Sequence, residues 1–303
     1  MENLLSSGHT ACTGCGELLG ARLVINAAGR NTIVANATGC LEVTTSRYPE
    51  SAWEVPWIHS LFENTAAVAS GIEAALKASG RKAGVNVISQ GGDGAIADIG
   101  LGAVSGALER GHDVLHVCYD NEAYMNTGVQ RSGMTSYDAH TTTSPRGKVS
   151  MGNPTRKKDL PAIAVAHGVT YVATASVGYA RDLERKVKKA ISLPGPKFLL
   201  IHVPCPLGWG YESSRTIELA KLAHQTGLFP IYEIENGVVT RVMKISKPLP
   251  VEEYLKPQVR FRHLFANEAG AAELAKIQAI ADENIKHFDL VTKAAGTAAA
   301  TTA

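Results

Sequence analysis

The sequence predicts an α/β fold: a parallel sheet with helices on both faces, followed by a C-terminal hairpin-and-helix extension. Three observations point there. Short β-branched runs alternate with helix-length stretches from about residue 8 to 228, as βαβ units do. Residues able to bind metal or phosphate stand just past the carboxyl ends of several runs, where open parallel sheets bind ligands. After Leu228 the pattern changes to a hairpin and one long helix.

The elements follow in chain order. Glu17 to Ala28 reads as a helix, with Leu18, Ala21, Arg22 and Ile25 on one mostly apolar face. Thr32 to Ala35 reads as a strand that ends in Asn36-Ala37-Thr38-Gly39-Cys40. A helix is expected from Asn64 to Ala78, then a strand from Val85 to Ser89, then a helix from Ile96 to Glu109. Val114 to Tyr119 is the next strand, and Asp120-Asn121 follows it. Tyr179 to Ile191 is helical, with Leu183, Val187, Ala190 and Ile191 on one face. Phe198 to His202 is a strand that leads into Val203-Pro204-Cys205-Pro206, and Arg215 to Thr226 is a helix. Pro230 to Glu235 and Val238 to Ile245 flank Asn236-Gly237, the signature of a tight hairpin turn. A last helix is expected from Asn267 to about His287. The chain thus divides into an α/β domain, 1–228, and an extension, 229–303, that wraps the domain or a partner. The tail KAAGTAAATTA is low-complexity and expected to fray over 293–303.

Residues 130 to 160 are polar and lack a period. A loop that long in a compact domain is usually functional or disordered. Its place directly after the Asn121 turn suggests a cofactor cover and a subunit contact.

Composition narrows the function classes. The chain has 303 residues, 45% apolar and 19% charged, which suits a globular core. A net charge of +2 and few aromatic residues imply neither nucleic acid nor an acidic membrane surface. The basic run Arg185-Lys186-Val187-Lys188-Lys189 reads as a solvated helix face; a docking patch for an acidic partner is the sharper alternative. The start, MENLLSSGHT, lacks a basic n-region, and no run of about twenty apolar residues occurs, so a cytoplasmic protein is expected.

Two constellations carry chemistry. Gly92-Asp93-Gly94 follows one apolar run, and Asn121 follows the next, 28 residues after Asp93. Two strands that end side by side would bring a carboxylate and an amide oxygen together. The glycines leave room for a phosphate near the backbone, and a helix after Gly94 turns its positive end there. Asp and Asn oxygens are hard ligands suited to Mg2+, which shares its shell with phosphates. A tight βα turn is the ordinary alternative for a lone Gly-Asp-Gly. Paired with Asp120-Asn121 at this spacing, it reads as a Mg2+-diphosphate clamp and resembles the thiamine diphosphate motif.

The second constellation is cysteine. Cys12-Thr13-Gly14-Cys15 is a glycine-bearing C-x-x-C, while Cys40 and Cys205 each follow a strand. Paired cysteines in a cytosolic protein more often bind metal or do redox work than form disulfides. Four thiolates suit either a four-cysteine zinc site or a [4Fe–4S] cluster. The isolated third and fourth ligands favour the cluster, since zinc ribbons pair two C-x-x-C knuckles. Cys118 lies inside a strand and reads as a buried small hydrophobe.

ACTGCGE, NATGCLE, GGDGAIADIG, YDNEAYMNTGVQRSG and HVPCPLGWG stand in one order from about Gly8 to Phe265. Together they resemble the thiamine-binding beta subunits of the 2-oxoacid:ferredoxin oxidoreductase family. The resemblance implies a thiamine diphosphate-binding fold, Mg2+ and one [4Fe–4S] cluster held by Cys12, Cys15, Cys40 and Cys205. It implies that Asp93 and Asn121 give side-chain oxygens to Mg2+, and Ala123 its backbone carbonyl. Gly39, Gly92 and Gly94 would border the cofactor. Tyr124 to Gly128 would line its thiazolium end, with Thr127 in contact and Asn126 close to the substrate as the catalytic residue.

It further implies alpha and gamma subunits, a ferredoxin-like delta subunit or domain, ferredoxin as electron acceptor, and coenzyme A unless the acid is oxalate. Pyruvate is the first expectation, because the ACxGCG, NATGCLE and NTGxQRSG forms resemble the pyruvate branch. Branched-chain 2-oxoacids, oxalate and phenylglyoxylate follow. An acetolactate synthase-like enzyme would leave four cysteines idle, and a non-catalytic zinc subunit with four cysteine ligands would leave the clamp unexplained.

The activating glutamate of thiamine enzymes is not obvious here. Glu63 in SLFENTAA is a candidate, but its ordinary reading is the start of the next helix, with the glutamate on a partner chain. His59, His140 and His202 read as structural.

Overall fold

The computed structural model describes residues 2–292. Eight strands form one sheet: β1 Thr32–Asn36, β2 Trp57–His59, β3 Asn86–Gly92, β4 Leu115–Asp120, β5 Tyr171–Ser176, β6 Lys197–His202, β7 Tyr232–Glu235 and β8 Val238–Val242. Their order is β2-β1-β3-β4-β6-β5-β7-β8. The first six are parallel, and the β7–β8 hairpin joins β5 antiparallel. The helices are α1 Gly16–Ala28, α2 Cys40–Thr45, α3 Thr65–Ala78, α4 Leu101–Glu109, α5 Leu160–Ala166, α6 Ala180–Ser192, α7 Pro206–Trp209, α8 Thr216–Gln225, α9 Glu252–Leu255 and α10 Glu268–His287. Among the described residues none is long and apolar enough to cross a membrane.

The alternation of side chains along each strand builds two cores. Val117, Tyr119, Leu199 and Ile201 face one side with Ala21 and Ile25 of α1 and Leu183 and Val187 of α6. Cys118, Phe198 and Leu200 face the other, with Val104 and Leu108 of α4, Leu160 of α5 and Leu219 of α8. Every residue of β4, β5 and β6 is buried, as in a parallel sheet covered on both faces. Helices do lie on both faces, as the periodicity implies.

Most expected elements form within one or two residues of their expected bounds. The helix expected over Ile96 to Glu109 divides into a π-helical turn, Gly94–Ile99, and α4. Here the Gly100 amide donates to the Ala95 carbonyl, and a Cβ at position 100 would meet that oxygen at 2.4 Å. Strand β5 has no counterpart among the expected elements, because its alanines, YVATAS, weaken the β-branched signal. The second hairpin strand stops at Val242, and Ile245 instead bridges Val291. The turn itself is as expected, with Asn236 at φ 49° and Gly237 at φ 80°. The low-complexity tail, 293–303, lies outside the described residues.

The basic run on α6 requires a correction, because it is not a solvated face. Arg185 and Lys189 pair with Glu233 of β7 at 2.6 and 3.1 Å, and Lys189 also reaches Glu235 at 2.7 Å. Lys186 is buried and donates to the Thr174 carbonyl at 2.8 Å. These cations tie the hairpin to the sheet, while Lys188 alone of the group is exposed. Periodicity cannot reveal this, because the hairpin partners lie more than forty residues away.

Candidate active site

Strand order decides the site. Cys40 follows β1, Asp93 follows β3, Asn121 follows β4 and Cys205 follows β6. Those four strands are consecutive neighbours in the sheet, so their carboxyl ends form one row. A hydrogen-bonded chain locks the row from below: Gln90 donates to Asn36 at 2.8 Å, and Tyr119 donates to Gln90 at 3.0 Å.

Asp93 is fully buried. Its Oδ2 accepts from the Ser132 hydroxyl, and its Oδ1 has no partner. Asn121 is 5% exposed; its Nδ2 donates to Glu17 Oε2 at 3.2 Å, and its Oδ1 also has no partner. Two buried, unpartnered oxygens are costly unless something binds them. Burial, and then the neighbouring Asp120 charge, push the Asp93 carboxyl well above the usual range. A hard divalent cation would satisfy both oxygens and keep Asp93 ionised, so this donor set fits Mg2+.

Above these oxygens lies a cleft of about 80 Å3 lined by Gly39, Cys40, Gly92, Gly94, Asn121 and Ala123. Tyr124, Asn126 and Thr127 complete the wall together with Glu17, Phe62 and Met125. Gly39, Gly92, Gly94, Asn121, Ala123, Tyr124, Asn126 and Thr127, expected from the sequence, therefore border this cleft, with Asp93 buried between Gly92 and Gly94, whereas Gly128 does not line it. Position 94 must be glycine, because a Cβ would meet the Tyr124 ring at 2.5 Å. Phe62 packs edge-on against Tyr124, with centroids 5.9 Å apart. Burial and the adjacent Asp98 push the Tyr124 phenol up to about 12, so it stays protonated and donates to Asp98 at 3.2 Å.

A larger cavity, about 320 Å3, lies behind the Asn121 turn and is lined by Asp120, Glu122, Lys157, His202 and Phe229 among others. Its carboxylates are already paired with Lys157 at 2.6 and 2.9 Å. The unpartnered oxygens and close-approach glycines belong to the smaller cleft, whose donors suit a diphosphate and its cation better. That cleft is too small to enclose a whole cofactor, since closed ligand sites usually offer ~300 Å3 or more.

The thiols gather beside the cleft. Cys15 caps α1 and accepts from the Leu18 amide at 3.4 Å, and Cys205 caps α7 and accepts from the Gly208 amide at 3.3 Å. The Gly16 amide donates to the Pro204 carbonyl at 3.2 Å, which joins the two cysteine loops. Cys40 feels the charges of Cys205, Cys15 and Cys12, so the four are electrostatic neighbours. Burial pushes the Cys15 and Cys205 thiols up to about 12 and 11, and the Cys40 thiol higher still. A metal centre that takes the thiolate charge would offset this burial. Among the described residues, no three His, Cys, Asp or Glu side chains converge as the ligands of one ion. A four-iron cluster instead takes each thiolate at a separate corner. Cys118 is fully buried inside β4, in the core that Cys205 borders.

Two residues revise the reading of the acids. Glu63 is exposed and does not line the cleft. Glu17, two residues past the C-x-x-C, is buried in the cleft wall, where burial lifts its carboxyl to about 7. A glutamate at the first turn of an expected helix looks like ordinary helix chemistry, so local pattern does not mark it. The 130–160 loop grips the turn from behind more than it covers the cleft: Ser132 meets Asp93, and Lys157 meets Asp120 and Glu122. Asn153 knits that loop, donating to the Thr135 and Thr155 carbonyls at 2.8 Å each.

Comparison with known proteins adds to the geometry. Residues 37–203 match the family model of the thiamine pyrophosphate enzyme C-terminal TPP-binding domain. The chain is 60% identical over 289 residues to pyruvate synthase subunit PorB of Methanosarcina barkeri, covering 95% of this chain and 98% of that one. It is 54% identical to PorB of Methanocaldococcus jannaschii, covering 95% and 97%. It is 50% identical to ketoisovalerate oxidoreductase subunit VorB of Pyrococcus abyssi, covering 87% and 86%. Among solved structures, 2-oxoglutarate:ferredoxin oxidoreductase from Magnetococcus marinus shares the fold, with a TM-score of 0.54 at 23% identity over 70% of this chain and 76% of that one.

Proposed function

The chain belongs to the 2-oxoacid:ferredoxin oxidoreductases as a PorB-type, thiamine-binding subunit, and on that basis we propose that its complex oxidises pyruvate. In this reading pyruvate, coenzyme A and oxidised ferredoxin give acetyl-CoA, carbon dioxide and reduced ferredoxin in the cytoplasm. The pair of buried, unpartnered oxygens on Asp93 and Asn121 carries the cofactor assignment. When bound, thiamine diphosphate supplies a nucleophilic carbon able to release carbon dioxide from a 2-oxoacid and retain the electron pair.

The residues of this chain divide the remaining work. Asp93 and Asn121, with the Ala123 carbonyl, would hold Mg2+ on the diphosphate. Ser132 fixes the Asp93 carboxyl, and Glu17 accepts from the Asn121 amide, which leaves the amide oxygen free to take the metal. Gly92 and Gly94 let phosphate approach the backbone. Phe62, Tyr124 and Met125 exclude water from one wall. Asn126 and Thr127, in the cleft wall, would stand at the thiazolium and substrate end. Cys12, Cys15, Cys40 and Cys205 would hold a [4Fe–4S] cluster beside the cleft, placed to carry electrons out.

The half-open cleft supports completion by alpha and gamma chains and a ferredoxin-like delta chain. Leu61 and Leu207, 56% and 75% exposed, adjoin cleft and cysteine residues in sequence and give such a partner an apolar rim. A branched-chain 2-oxoacid is the second reading, favoured by the 50% identity to VorB.

Turnover of the whole complex with methyl viologen, coenzyme A and each of pyruvate, 3-methyl-2-oxobutanoate, oxalate and phenylglyoxylate tests the substrate. Pyruvate should give the highest kcat/KM; preference for another acid overturns that assignment. The isolated, cluster-loaded chain should be inactive. Turnover near that of the complex would place the activating glutamate on this chain.

A further inference from the structure

The turn that carries Asn121 is held in an unfavoured shape. Glu122 has φ 70°, a left-handed conformation rare for a residue with a long side chain. Both its carboxylate oxygens are occupied. Oε1 meets Lys157 at 2.9 Å, and Oε2 meets Arg260 at 2.7 Å and the Ser136 hydroxyl at 2.7 Å. Its amide donates to Asp120 Oδ1 at 3.2 Å, and Asp120 Oδ2 meets Lys157 at 2.6 Å. Its carbonyl accepts from the Thr135 hydroxyl at 2.7 Å. Arg260 is 4% exposed, donates to Gln258 at 2.8 Å and lies over the Trp209 ring at 3.9 Å. That ring's Nε1 donates to the Asn121 carbonyl at 2.8 Å. With its amide nitrogen on Glu17, Asn121 keeps one polar side-chain atom free, the Oδ1 turned to the cleft.

We propose that Lys157 and Arg260 are positioning residues for the cofactor's cation. By pairing with the buried carboxylates of Asp120 and Glu122, they hold Glu122 left-handed, and that backbone shape aims the Asn121 side-chain oxygen and the Ala123 carbonyl at one cation. This rests on reading the glycine cleft as the diphosphate site. The two cations come from segments that local pattern does not join to the turn: Lys157 from the end of the long polar loop, and Arg260 from the C-terminal extension. The extension is thereby part of the cofactor site although none of it lines the cleft.

The test uses the assembled complex stripped of cofactor and titrated with Mg2+ at fixed thiamine diphosphate, read by calorimetry, with thermal unfolding of each variant alongside. Lys157→Met and Arg260→Met should need at least ~10-fold more Mg2+ for half-saturation, with the substrate KM near wild type. Lys157→Arg, which keeps the charge, should recover most of the loss. Glu122→Gly and Glu122→Ala remove the same carboxylate, but only glycine adopts the left-handed backbone freely. The alanine variant should therefore need several-fold more Mg2+ than the glycine variant, and this pair decides the question even where Lys157→Met does not assemble. Folded Lys157→Met and Arg260→Met with a wild-type Mg2+ requirement, or equal losses in Glu122→Gly and Glu122→Ala, would overturn the clamp alone. A wild-type complex with no Mg2+-dependent cofactor binding would overturn the site reading and the clamp with it.

Discussion

Asp93 and Asn121 differ in what they offer a cation, although both present a free buried oxygen. Asp93 brings charge, so Asp93→Ala leaves the diphosphate's cation without its anionic protein ligand. Tight thiamine diphosphate binding should be lost, by ~100-fold or more in Kd, of the order expected for removing a buried charged partner. Asn121→Ala removes a neutral amide and should weaken binding less, by ~10-fold. Calorimetric titration with Mg2+ and cofactor distinguishes them, and an unchanged Asp93→Ala affinity rules the clamp out. The thiols allow a parallel comparison. Cys12→Ala, Cys15→Ala, Cys40→Ala and Cys205→Ala should each lose most of their iron, whereas Cys118→Ala, buried within β4, should keep it. Iron analysis with low-temperature EPR checks this; iron retained in Cys205→Ala but lost in Cys118→Ala reverses the assignment.

At the scale of elements, the cysteine loops depend on close backbone contact. A Cβ at Gly16 would meet the Pro204 carbonyl oxygen at 2.6 Å, and one at Gly14 the Ser213 carbonyl oxygen at 2.3 Å. Backbone atoms cannot step aside as side chains do, so Gly16→Ala should pry the Cys15 loop from the Cys205 loop. The expected cost is ~1–3 kcal/mol of stability, the range for overpacking, with loss of iron from a chain that still folds. Gly102→Ala in α4 is the control. Its Cβ would meet nothing within 4 Å, and an alanine inside a helix should stabilise by ~0.5–1 kcal/mol. Iron content and urea unfolding of the two variants measure both effects; full iron in Gly16→Ala would show that the loops separate without harm.

At the scale of the whole molecule, buried histidines set the response to acid. Burial lowers His116 and His202 to about 3 and His224 to about 4. Each is then neutral in the folded chain while the unfolded chain takes a proton near pH 6.5. Above that pH they contribute no pH dependence. Below it the unfolded state binds protons that the folded state refuses, so stability falls by ~1.4 kcal/mol per pH unit for each histidine, down to pH 3 to 4. His116 is fully buried with both ring nitrogens unpartnered. His116→Leu keeps the bulk and removes the titrating group, so it should flatten the pH dependence between pH 6 and 4 by about one proton. Unfolding free energies across that range provide the measurement, and a slope equal to wild type contradicts the argument.

Local pattern was enough to establish most of the elements and their order, and to point to a chemistry at their ends. Periodicity is a property of neighbours in the chain, so α1, α3, α6 and β4 were legible within a residue or two, and so was the Asn236-Gly237 turn. Gly-Asp-Gly with Asp120-Asn121, the C-x-x-C and the cysteines after β1 and β6 pointed to metal and phosphate chemistry by residue type and spacing. It took the folded chain to set β1, β3, β4 and β6 side by side, which turns four separate strand ends into one row. Folding also preferred Glu17 to Glu63 as the acid of the cleft, bound Arg185 and Lys189 to Glu233, and brought Lys157 and Arg260 to the Asn121 turn. Each of these contacts joins residues 35 to 138 positions apart, from Lys157 with Glu122 to Arg260 with Glu122. Pairings of that kind depend on the crossovers and on the order in which strands enter the sheet, and no local pattern encodes them.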